Sequence, residues 1–179
     1  MKCRTVFTSG ALLCACLALA SMVRADQIYV GLQGAQNFDV ATEMPDTPRH
    51  FEARELSLLT SVPYDMASGS LRGARQYPPI KVTKAAGAVS LMLYQSMITN
   101  ETLADVIIDF VRPGQGGAPQ VYQSIRLSGA KVVGFERKTA TDARNQKLPV
   151  DEISFSFRRV EFKNLDSGMT VIDDLDARR

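Results

Sequence analysis

A mainly β domain is predicted, an antiparallel sandwich closing toward a barrel, with one α-helix packed on its outside. Three observations carry this. Eight or so short runs alternate apolar and polar residues, one stretch near the middle spaces its apolar residues as a helix does, and Gly- and Pro-rich turns separate the runs. At 179 residues, 45% hydrophobic and 22% charged, the composition is ordinary for one globular domain with a sizeable core.

The first 25 residues read differently. Met-Lys-Cys-Arg precedes an apolar run from Ala11 to Ala20, and Val23-Arg24-Ala25 supplies small residues before the first acidic one, Asp26. This is the pattern of a secretory signal, with cleavage expected between Ala25 and Asp26. The run is shorter than the roughly 20 residues a transmembrane helix needs. Lipoprotein processing at Cys16 is a second reading, against which the run continues apolar through Leu17-Ala18-Leu19-Ala20. Residues 26–179 are then the single mature domain, expected in the periplasm or outside the cell.

Cys3, Cys14 and Cys16 would all leave with the leader, so thiol and zinc chemistry are not expected. Lys2, Arg4 and Arg24 would leave too; 18 of the 21 basic residues then face 19 acidic ones, a formal charge of −1. A near-neutral chain has no electrostatic drive toward nucleic acid or anionic membrane.

In chain order, Ile28, Val30 and Leu32 share one face of a first strand, and Gln33 to Pro48 is a polar loop. From His50 to Thr60 the apolar parity changes near Arg54-Glu55, which predicts a bulge or strong twist. His50, the only histidine, has no obvious partner in sequence and is expected at the surface. Ser61 to Gln76 is a long loop for a compact domain, with Tyr64, Met66 and Leu71 as apolar anchors. Arg72 and Arg75 lack the glycine-rich turn of a nucleotide site; they are expected to pair with carboxylates of a neighbouring subunit, Asp173 and Asp174 being candidates.

Pro78 and Pro79 restart the chain as a strand in which Lys81 and Lys84 protect an edge. Ala85 to Asn100 is the helix, with a core-facing stripe of Val89, Met92, Leu93 and Met97 widened by Tyr94 and Ile98. Leu103 to Arg112 is apolar on both faces, as in a central strand. Pro113 to Pro119 turns the chain. Gln120 to Ser128 and Ala130 to Lys138, the latter with Val133 and Phe135 inward, read as successive strands of a meander. A parity switch at Arg158-Arg159 predicts a second bulge, and Asp166-Ser167-Gly168 leads to a last strand over 169–172.

No serine-histidine-acid set, metal cluster or carboxylate pair of divergent acidity is legible, so no enzyme, cofactor or metal is expected. The segments Ser70 to Lys84, Ser90 to Met97, Ile107-Ile108-Asp109-Phe110-Val111-Arg112-Pro113 and Glu152-Ile153-Ser154-Phe155-Ser156-Phe157, in that order, resemble the haemolysin-coregulated protein (Hcp) family over about Gln27 to Asp174. The resemblance implies a six-membered ring that stacks into the inner tube of a type VI secretion system, carries small effectors, meets spike and sheath proteins and is itself secreted. It also implies that Ser61 to Gln76 is an arm contacting the next ring, with Tyr64, Leu71, Arg72, Arg75, Asp173 and Asp174 as candidate interface residues. Tube subunits of that family ordinarily carry no leader, so an exported relative, ring-forming or binding and outside a contractile tube, is the alternative.

Overall fold

The computed structural model describes residues 26–34, 50–142 and 144–176. The expected leader, including Ala25, and the loop from residue 35 onward lie outside them. Among the described residues, nine strands and one α-helix run β1 (Gln27–Gln33), β2 (His50–Ala53), β3 (Glu55–Ser57), β4 (Ile80–Ala85), α1 (Ala88–Ile98), β5 (Leu103–Pro113), β6 (Pro119–Thr141), β7 (Lys147–Ser156), β8 (Arg159–Asn164) and β9 (Thr170–Asp174), with a single 3-10 turn, Gln115–Gly117, between β5 and β6. Every pairing is antiparallel. The mainly β, one-helix architecture is therefore the expected one.

The order β2-β1-β5-β6-β7-β4-β3, with β8 and β9 extending from the first half of β6, describes two sheets that share bent strands. β6 is the longest of these. Its first half pairs with β5 and β8 and its second half with β7, so the expected meander is one 23-residue strand. The bend sits at Gly129, whose φ of 61° belongs to the left-handed region. Directly opposite, the chain breaks between β7 and β8, and the Arg158 amide donates to the Ser128 carbonyl at 3.1 Å. Both strands of this long hairpin thus kink at one level, where it passes from one sheet to the other. The parity switch read at Arg158-Arg159 is this break. A further register slip between Val132 and Gly134 turns Val133 outward, so only Phe135 of the expected inward pair packs on the core.

The parity change near Arg54 has the same meaning. β2 pairs with β1 and β3 with β4, while the Arg54 amide between them donates to the Thr83 carbonyl at 2.7 Å. One bent stretch therefore joins the free ends of the two sheets and closes the sandwich toward a barrel. Val30, Leu32, Phe51, Val82, Val106, Ile108, Leu127, Ile153, Phe155 and Val160 fill the space between.

Two residues sit where the sequence did not place them. His50 is buried, not superficial: it pairs with Gly31 in the β1–β2 ladder, and its ring occupies the space a Cβ at position 31 would take. Lys84 is buried, and β4 is no edge, because β3 and β7 flank it on both sides. Lys84 has the parity of Ile80 and Val82 and must point inward with them. Its ammonium donates to the Ala85 carbonyl (2.6 Å) and the Ser90 hydroxyl (3.3 Å), and it lies 5.5 Å from the Phe51 ring centre.

Ser90 explains the helix start. Its amide donates to the Gly87 carbonyl and its hydroxyl accepts from the Gly87 amide, occupying donors a free helix end leaves open. At the other end Asn100, at φ 53°, takes the left-handed conformation that ends helices, and Glu101 donates back to Ser96. The buried face is Val89, Ser90, Leu93 and Ser96, with Met92 and Met97 half-buried. Ile98 and Tyr94, expected to widen that face, are exposed, as is Leu91. Ser96 takes a core-facing place because its hydroxyl reaches the Glu101 carboxylate at 3.0 Å.

The wholly buried Asp151 accepts two bonds from Arg137, at 2.7 and 3.0 Å. Burial pushes its carboxyl upward, but the bonds from Arg137 and Ser90 and the charges of Arg137 and Lys84 outweigh burial and hold it below the usual value. A lowered folded-state value stabilises above the unfolded-state value of about 3.9, and that contribution disappears as pH falls through the lower one. Asp151→Asn is expected to flatten the loss of stability below about pH 4, read from urea midpoints across an acid series. An acid limb as steep as the wild type's would contradict this role.

Candidate functional site

Ser61 to Gln76 leaves the domain between β3 and β4 as a hairpin-like arm closed by two isolated antiparallel bridges rather than a loop without pairing. Ser61 and Gln76 exchange backbone bonds of 3.1 and 2.8 Å, Tyr64 lies opposite Leu71, and the Arg72 amide donates to Pro63 at 2.8 Å. Asp65 closes the tip. Its carbonyl accepts from the Gly69 amide at 2.8 Å, its carboxylate from the Ala67 amide at 2.9 Å, and Gly69 takes the positive φ the reversal needs.

Along this arm the apolar side chains face outward. Met66 is 87% exposed, Leu71 73% and Tyr64 61%, and Leu59, just before it, 60%. Tyr64, Met66 and Leu71, read as the apolar anchors of this stretch, are turned to solvent in the single chain. Main-chain pairing gives the arm its shape and leaves these side chains to solvent. Three exposed apolar residues on one projection, with Leu59 just before it, form the kind of surface that marks a contact with another molecule.

Both arginines have partners within the chain. Arg72 meets Asp65 at 3.2 Å across the arm tip, and Arg75 meets Asp173 at 3.3 Å. Asp173 does come together with Arg75 as a residue pair, but inside one subunit. It also accepts a 2.6 Å bond from the Tyr77 hydroxyl, whose ring stands edge-on to Phe157 with centroids 5.7 Å apart. Burial, then the bond to Asp173 and its charge, raise the Tyr77 phenol above its usual value. Tyr77 precedes Pro78, which holds it in an extended conformation. It was not singled out in the sequence, although a tyrosine immediately before Pro-Pro at a strand entrance was the available signal.

Asp174 stands apart from this group, opposite Arg159 in the β8–β9 ladder. Asp26 accepts from the Tyr122 hydroxyl at 3.2 Å, beside the start of β1. Around β9, Met169, Val171 and Ile172 are exposed, and among the described residues the strand pairs only with β8. This is a second apolar surface, and it lies along a sheet edge.

Elsewhere, a recess of about 400 Å³ is lined by Glu52, Arg54, Lys84 and Ala85. The bonds of its buried lysine go to Ala85 and Ser90, which ties that charge to the helix start. Among the described residues, no three of His, Cys, Asp or Glu are grouped to hold a metal, and no helix is long and apolar enough to cross a membrane.

Known proteins place this geometry. Residues 45–163 match the profile of a family described as "Type VI secretion system effector, Hcp". Among solved structures, a crystal structure of an Hcp protein aligns with a TM-score of 0.75 and 21% identity over 84% of this chain and 98% of that one. Hcp1 from the E. coli EAEC 042 pathovar gives 0.67 and 18%, over 84% and 97%. The secreted protein Hcp3 from Pseudomonas aeruginosa gives 0.62 and 16%, over 84% and 98%. At these identities the structures establish the fold alone. A search of curated proteins finds no match. With the family profile covering about two thirds of the sequence, the chain belongs to the Hcp family of type VI secretion proteins.

Proposed function

We propose that this chain is a structural subunit of a type VI secretion tube: six copies close into a ring through head-to-tail contacts, and rings stack through the arm around a lumen that carries small effectors. Closure of such a ring needs two different complementary surfaces on each copy. The observation that carries the reading is the arm, a bridged hairpin-like projection presenting Tyr64, Met66 and Leu71 to solvent. A second copy covering these residues removes apolar surface from water, at about 25 cal/mol per Å². Such a tube would also meet spike and sheath proteins. The role needs no catalytic group, metal or nucleotide, and none is assigned. Sedimentation of the protein, with electron micrographs of the same sample, tests for rings and stacks.

The leader-like sequence of residues 1–25 favours a second reading, an exported relative that forms rings or binds partners outside the cytoplasm and outside a contractile tube. Cleavage between Ala25 and Asp26 would place β1 at the new N-terminus almost at once. Mass analysis of protein from the periplasm or medium is then expected to show a chain starting at Asp26. An intact Met1 there would remove this reading and leave the first.

A further inference from the structure

We propose that Asp173 is a latch that fixes the arm to β9, so that covering the open edge of β9 and stacking through the arm are coupled. The stacking half rests on the tube reading above; the latch itself does not. The two chains of the arm leave the domain at Thr60 and Tyr77. Ser61 and Gln76 exchange backbone bonds at the arm's foot, Tyr77 donates to Asp173 at 2.6 Å, and Arg75 pairs with the same carboxylate oxygen at 3.3 Å. The paired foot is therefore tied to one largely buried carboxylate.

That carboxylate belongs to the strand with an open edge. β9 pairs only with β8 among the described residues, and its exposed Val171 and Ile172, with Met169 just before it, offer apolar surface to a second copy. The Asp173 side chain turns away from solvent to the arm's foot, beside Phe157 at the break between β7 and β8. A partner seated on β9 restricts how that strand sits on β8, and Asp173 carries the restriction to Arg75 and Tyr77. A ligand shifts an equilibrium only through a difference in affinity for the two states. The latch supplies that difference: the arm at a fixed angle in the state whose β9 is held.

Asp173 is a positioning residue in this account, and limited trypsin digestion reads it without any assembly. Cleavage after Arg75 requires the foot to open, so its rate follows the open population when reclosing is fast. In dilute, unassembled protein, Asp173→Asn is expected to raise that rate about tenfold, since hydrogen bonds to a charged acceptor are being weakened. Tyr77→Phe keeps the ion pair and is expected to raise it less. It also serves as the second variant should Asp173→Asn not fold, judged by circular dichroism. Unchanged cleavage after Arg75 in the folded variants overturns the latch.

For coupling, sedimentation and micrographs of Asp173→Asn are expected to show single rings with stacks shortened several-fold, while Arg75→Lys alone, which keeps a cation facing Asp173, is expected to retain most of the wild-type stack length. Faster cleavage together with stacks of wild-type length overturns the coupling. Failure of the wild-type chain to form rings would overturn the tube reading and the coupling together, while the digestion still decides the latch.

Discussion

Replacing Tyr64 to Leu71 with an Asn-Gly turn abolishes stacked rings and leaves single rings and the melting temperature of the domain where they were. The expectation follows from where the arm's contacts go. Its ladder is held by its own backbone bonds between Ser61 and Gln76, and its apolar side chains are solvent-facing. Nothing from the hydrophobic core cluster is removed with the tip. An Asn-Gly turn suits a two-residue hairpin connection and keeps the foot paired. What is lost is surface available to another ring, about 1.5–3 kcal/mol for each large side chain that would be fully covered. Six arms acting together multiply that loss. A fall in melting temperature alongside loss of rings would instead make the arm a brace of its own domain.

Phe155→Ala is expected to destabilise the domain by about 3–5 kcal/mol. Phe155 is fully buried near the C-terminal end of β7, paired with Ile80 of β4 on one side and Val132 of β6 on the other. Deleting the ring removes its transfer free energy and leaves a cavity that three hydrogen-bonded strands cannot collapse to fill. For a domain of this size the melting temperature should drop by about 10 °C or more, with protein concentration held fixed because assembly itself stabilises. A drop of a degree or two would mean that β7 is not the centre of the core.

The strands were legible because their alternation is plain. Ile153 and Phe155, or Ile125 and Leu127, announce an inward face in any register, and all four are buried. Each parity change read in the sequence, at Arg54-Glu55 and at Arg158-Arg159, is a place where the chain crosses between sheets. The crossing in β6 was missed because Gly129 reads equally well as a hairpin turn; a glycine with positive φ serves a turn or a bend. His50 and Lys84 were misplaced by residue type, since polar side chains are assigned outward. The space beside Gly31 and the hydroxyl of Ser90 admit them.

The arm was located correctly by its length and lack of period, but its pairing was not legible. Proline at 63 and glycines at 69 and 73 argue against a ladder when propensity alone is weighed. Backbone bonds from Asp65, Arg72 and Gln76 form it nonetheless. Arg75 and Asp173, nearly a hundred positions apart in sequence, meet only because the arm's foot and β9 fold together.

Sedimentation velocity over a concentration series tests the central claim most directly. A species of six subunits, with faster-sedimenting multiples at high concentration that disappear when the arm is shortened, is the predicted result. A monomer at every concentration would contradict it.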